Sequence, residues 1–95
     1  MKINFKKLTI KTDRKGLHTQ DIDIAENLGE ILYQSAKTRK DRSTADLVGD
    51  STGEIELDES RAKFVAETIL NTTFPYPVKL AVLEALGMDE MLGEE

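Results

Sequence analysis

The chain contains no cysteine and no tryptophan. Disulfides, thiolate nucleophiles and cysteine-ligated zinc are therefore excluded. It has one histidine, His18, which lies beside a turn signal. Aromatic residues make up 5% of the chain, two Tyr and three Phe, so no stacking set for nucleic-acid bases is evident. The only two prolines fall together in Phe74-Pro75-Tyr76-Pro77. No apolar run approaches the ~20 residues of a membrane span. Met1-Lys-Ile-Asn-Phe-Lys-Lys lacks the apolar stretch of a signal peptide, so a cytoplasmic location is expected. Phosphate-cradling glycine loops are missing, and Ser35, Ser43, Ser51 and Ser60 stand in no nucleophile elbow. The reading is a non-enzyme with no cofactor and no metal. Catalysis would require a pocket that gathers His18 with Asp21 or Asp23.

What is present suits one small domain. The 95 residues are 39% hydrophobic and 33% charged, with a mean hydropathy of −0.40. That apolar content makes a thin core, which helices sharing faces would use best. Charge is unevenly placed. Residues 1–42 carry ten Lys/Arg and six Asp/Glu, a balance of +4. Residues 43–95 carry three and twelve, a balance of −9. Such a contrast can steer association with a partner or with a second copy; two solvated faces that differ by accident give the same numbers.

Along the chain, Ile3 and Phe5 share one strand face while Leu8 and Ile10 share the other. The parity change across Lys6-Lys7 predicts a bulge or two short strands. Asp13-Arg14-Lys15-Gly16 has the signature of a type I turn, so Leu17 to Gln20 can return as a second strand. Asp23 and Glu26 form a D-x-x-E capping box, followed by the stripe Ile24, Leu28, Ile31 and Leu32. Gly29 inside that stripe costs about 1 kcal/mol relative to Ala and suggests close approach of another element. Residues 37–42 read as a basic loop, and Ser43 to Asp46 as the cap of a short helix ending at Gly49. Glu54 to Leu57 alternates as a short strand that could pair with the N-terminal one or remain a connector. Asp58 can cap a helix carrying Ala62, Val65, Ala66 and Ile69 at i, i+3, i+4, i+7. The proline pair breaks it, Pro77 opens a second helix that is apolar nearly all round, and Gly87 ends it.

Three further constellations bear on function. In Val48 to Glu59, Gly53, Ile55 and Glu59 sit where a calcium loop places its glycine, hydrophobic residue and last glutamate, but Val48 holds the first ligand position and cannot ligate. Lys6, Lys7, Lys11, Arg14, Lys15, Arg39, Lys40 and Arg42 could form a basic patch for phosphates, set against a net charge of −5. Their bland reading is a solvated strand edge guarded by lysines. The acidic half could instead present carboxylates to a basic protein. Met88, Met91 and Leu92 could form a docking patch or fold back on the core.

Gly53-Glu-Ile-Glu-Leu-Asp-Glu, the helix after it, and Pro75-Tyr-Pro-Val-Lys-Leu-Ala-Val-Leu-Glu-Ala-Leu-Gly87 together resemble small, mostly uncharacterised bacteriophage and prophage proteins over residues 50–87. The resemblance implies a small accessory or morphogenesis protein that acts by binding, and it carries over no functional residues. The expected fold is α+β and mainly α, in one domain over 1–95. Three main helices at 23–37, 59–71 and 77–87 are joined by a short one near 44–48, with an N-terminal strand or hairpin packed alongside and a ragged tail at 88–95. The expected function is a protein–protein interaction or assembly module whose partner is another protein or a second copy. Its candidate surface comprises Phe5, Tyr33, Phe74, Tyr76, Met88, Met91 and Leu92. Nucleic-acid binding through the basic half is the alternative.

Overall fold

A computed structural model describes residues 1–92; residues 93–95 of the expected tail lie outside the described residues. The elements run β1 (Lys2–Ile3), β2 (Leu8–Lys11), β3 (Thr19–Ile22), α1 (Ala25–Ser35), α2 (Arg39–Gly49), β4 (Ile55–Glu56), α3 (Glu59–Leu70) and α4 (Tyr76–Ala85), then a 3-10 turn at Asp89–Leu92. This is an α+β arrangement, mainly helical.

The N-terminal segment resolves into two short strands because Asn4 turns the chain between them. Its Oδ1 accepts hydrogen bonds from the amides of Lys6 and Lys7 at 3.0 and 3.1 Å. β1 then pairs antiparallel with β4 in the same chain, with Lys2 opposite Glu56 and Ile3 opposite Ile55. β2 pairs antiparallel with β3, from Leu8 opposite Ile22 to Lys11 opposite Thr19. At the turn the Gly16 amide donates to the Asp13 carbonyl at 3.1 Å, and Gly16 adopts φ +72°, which favours glycine. The return strand begins at Thr19, because the Asp13 carboxylate accepts from the His18 amide and lengthens the loop. Leu17 is left in that loop, 75% exposed.

The helices expected at 23–37, 59–71 and 77–87 all form, with shorter C-terminal ends, a later start for α1 at Ala25, and α4 starting one residue earlier, at Tyr76. The capping box at Asp23 does not. Ile24 occupies the cap position, its amide donates to the Phe5 carbonyl at 2.9 Å, and Asp23 Oδ1 accepts only from the Ala25 amide. The short helix near 44–48 is a correction of another kind. α2 begins at Arg39, within what reads as a basic loop, and runs eleven residues. Thr38 Oγ1 accepts from the Asp41 amide at 3.1 Å, and Asp41 Oδ2 accepts from the Lys37 amide at 3.1 Å. These bonds satisfy donors around the helix start, as capping requires.

Asp58 caps α3 as expected, accepting from the Arg61 amide at 2.8 Å. That bond, with the Lys40 ammonium 3.3 Å away and the Ser60 hydroxyl, holds the Asp58 carboxyl below its ordinary value of 3.8. A carboxyl depressed in the folded state contributes stability that is fully present above the unfolded value and lost as pH falls through the folded one. Asp58→Ala therefore lowers the melting temperature at pH 7. Asp58→Asn lowers it less, since asparagine keeps the cap without the charge. The gap between wild type and Asp58→Asn closes on acidification below pH 3.8, and thermal melts at pH 7 and in acid check both points.

α1, α2 and α3 pack on one another, while α4 bridges α3 to β2. Phe5, Leu28, Leu32, Leu57, Ile69, Leu83 and Leu86 are fully buried at the centre. Where α1 crosses α2, Gly29 meets Gly49 backbone to backbone, the close approach that Gly29 suggests in the sequence. α4 ends in a Schellman arrangement. Gly87 takes φ +69°, its amide donates to the Glu84 carbonyl, and the Met88 amide donates to the Leu83 carbonyl at 2.8 Å.

Candidate interaction surface

The residues singled out for chemistry are dispersed. His18 lies on the hairpin loop with its side chain 75% exposed, 3.7 Å from the Asp13 carboxylate. Asp21 instead accepts from the Thr9 hydroxyl at 2.6 Å, and Asp23 pairs with Lys6 at 3.4 Å. Histidine and either carboxylate thus serve separate local contacts. In the calcium-like segment Val48 is fully buried in the core. Among the described residues no three His, Asp or Glu side chains converge to hold a metal. No described helix is long and apolar enough to cross a membrane.

The basic residues fall into two groups on different parts of the fold. Lys6, Lys7, Lys11, Arg14 and Lys15 belong to the hairpin region, whose β2 packs on α4. Arg39, Lys40 and Arg42 belong to α2, which packs on α1 and α3. Half of the eight face carboxylates: Lys6 with Asp23, Lys7 with Asp21, Lys40 with Asp58, and Arg42 with Asp46. Exposed pairs of this kind add little stability, but they lower the local positive potential that a phosphate would meet. Arg61 spans the α2–α3 joint, donating to Ser43 Oγ at 3.2 Å and Thr44 Oγ1 at 3.3 Å.

The seven residues expected at an interaction surface separate by burial. Phe5 is a correction: it is fully buried, because the Asn4 turn carries it inward from its lysine neighbours. Phe74, Met88, Met91 and Leu92 are half-buried and pack against the core. Met88, Met91 and Leu92 thus fold back on the domain, the second of the two possibilities open from sequence. Tyr33 and Tyr76 remain exposed, at 51% and 62%. Tyr33 carries the Arg42 guanidinium 4.9 Å above its ring, a cation–π contact that occupies one face of the ring.

Tyr76 has different company. It starts α4, and Leu80 and Glu84 follow it one and two turns later on the same side. Glu84 is exposed and Leu80 half-buried, with Pro77 and Ala81 half-buried beside them. The opposite side of the helix carries Val78 and Val82, which are buried, and the buried Leu83 borders the Tyr76 flank. Sequence reading singled out Tyr76 and missed Leu80. α4 holds more apolar residues than one buried face can use, but the sequence does not say which of them the fold leaves outside. Comparisons with family models, with curated proteins and with solved structures give no match to this chain.

Proposed function

We propose that this protein is a non-catalytic protein–protein interaction or assembly module that binds through the outer side of α4. The observation that supports it is the run Tyr76, Pro77 and Leu80, apolar residues left wholly or partly exposed on a helix whose other side is in the core. A tyrosine on a rigid helix offers large contact area at small entropic cost, and such residues are enriched among interface anchors. The accessory role implied by the likeness of residues 50–87 to phage proteins is of the same kind. The alternative, nucleic-acid binding through the basic half, has less support, because four of its eight cations face carboxylates.

The test is a pair of substitutions, Tyr76→Ala and Leu80→Glu, read by light scattering and by affinity capture. Both should weaken association with itself or with a captured protein by about tenfold or more. The melting temperature should stay near that of the wild type, since both side chains are accessible. A wild type that associates with nothing, or a Leu80→Glu variant that associates equally well, overturns this reading.

A further inference from the structure

We infer that the outer side of α4 pairs with the same side of a second copy, antiparallel, about a twofold axis passing near Leu80. The inference rests on the interaction-module reading and names the partner of that surface. Its basis is the self-complementarity of one short helix. α4 starts without an acid in its first turn, and its cap residue, Pro75, has no side-chain oxygen to accept a bond. The partial positive charge of a helix start is therefore uncompensated by local side chains. At the other end, Glu84 lies one residue before the terminus at Ala85, no basic residue occupies the last turn, and Glu84 makes no ion pair among the described residues. A carboxylate there opposes the partial negative charge of the helix end.

Glu84 is thus the acid that the helix start lacks, and it lies on the same side as Tyr76 and Leu80. Tyr76 and Glu84 are equally spaced about Leu80, four residues to either side. An antiparallel pairing sets Leu80 against its own copy and brings Glu84 of each chain beside Tyr76 and the helix start of the other. The carboxylate gains a phenol donor and a favourable dipole, while its own helix end meets the partner's start. A parallel pairing would place Glu84 against Glu84 and leave both starts without an acid. Pro77 and Ala81 present little bulk beside the seam, which suits interaxial distances of about 8–10 Å. A contact of this kind is isologous, so it closes at two copies and generates no filament.

The absence of cysteine makes a direct test simple. A single Leu80→Cys substitution introduces the chain's only thiol, on the proposed axis. Under mild oxidation it should form a disulfide-linked dimer at least about tenfold faster than Leu17→Cys, placed on the exposed hairpin loop. Orientation is read with Tyr76→Cys and Glu84→Cys chains, mixed in equal amounts. Antiparallel pairing makes the mixed disulfide dominate over both symmetric ones, and these exposed positions leave folding intact even where position 80 tolerates change poorly. Native mass of the wild type by light scattering completes the set, with a dimer as the expected result. A monomer throughout the micromolar to millimolar range overturns the second copy, while the module reading is then judged by capture with Leu80→Glu. A dimer whose Leu80→Cys form links no faster than the Leu17→Cys control, or whose Tyr76→Cys chains link chiefly to one another, overturns the α4 pairing.

Discussion

Replacing Phe5 by alanine should cost about 3–5 kcal/mol of folding stability. For a domain of this size total stability is on the order of 5–15 kcal/mol, so the variant should be largely unfolded at moderate urea. Phe5 is a phenylalanine with no exposed surface, and its backbone carbonyl accepts from the Ile24 amide at 2.9 Å. The ring is thus part of the buried core, while the main chain at Phe5 ties the N-terminal turn to the start of α1. Alanine leaves the backbone bond available and removes the ring, so the loss reports the cavity and the lost burial together. Phe5→Leu, nearer in volume, should cost less than about 1.5 kcal/mol. Urea titrations followed by circular dichroism measure both. The midpoint should fall with the slope unchanged, as for a change in stability alone. A midpoint shift for Phe5→Ala no larger than that for Phe5→Leu would contradict the central placement of this ring.

Gly29→Ala should be the other severe change, and its sign runs against helix propensity. In an open helix the substitution gains about 1 kcal/mol. A Cβ on Gly29 would lie 2.5 Å from Gly49 Cα and 2.9 Å from Gly49 N. Those neighbours are backbone atoms, so no rotamer change relieves the overlap and α1 and α2 must move apart. The buried layer around Leu28, Leu32 and Val48 would open with them. A net loss of about 2–3 kcal/mol is expected. The reciprocal variant separates this from a general intolerance of bulk. A Cβ on Gly49 meets only Gly29 Cα, at 3.4 Å, so Gly49→Ala should be neutral or stabilising by up to about 1 kcal/mol. Equal losses for the two variants would contradict the asymmetric crossing.

Much of the helical layout was legible because caps, stripes and breakers agree over residues 58–87. The Asp58 cap, the stripe of α3 and the Gly87 terminator act as their chemistry suggests, and the proline pair brackets the start of α4, with Pro75 at the cap and Pro77 as the second helical residue rather than the first. Gly29 was legible as a point of close approach, since a glycine inside an apolar stripe has few other uses. α2 was not, because six polar residues open it and only Thr44, Ala45 and Val48 are buried. So short an apolar set gives no periodic signal in a polar stretch. Its start was nevertheless written in Thr38-x-x-Asp41, a capping pattern that outweighs the run of charge around it. Phe5 misled for a tertiary reason: alternation gives the strand face, but the Asn4 turn decides which way the next residue points. At the candidate site, Tyr76 could be named from sequence as a displayed aromatic. Leu80 could not, since the sides of a uniformly apolar helix differ only once β2 and α3 have taken one of them.

The pairing of β1 with β4 has a consequence for how the chain assembles. The Met1 amino group donates to the Leu57 carbonyl at 2.9 Å, and the Leu57 amide donates to the Met1 carbonyl at 2.7 Å, across a sequence separation of 56. By contrast, the β2–β3 hairpin and the α1–α2 pair join near neighbours and can form early. Closing the long loop loses entropy that only the finished core returns. The amide of Leu57, although its side chain sits fully buried, should exchange with deuterium sooner than those in the middle of α3. Unfolding should then start with the first three residues letting go, while the helices are still in place.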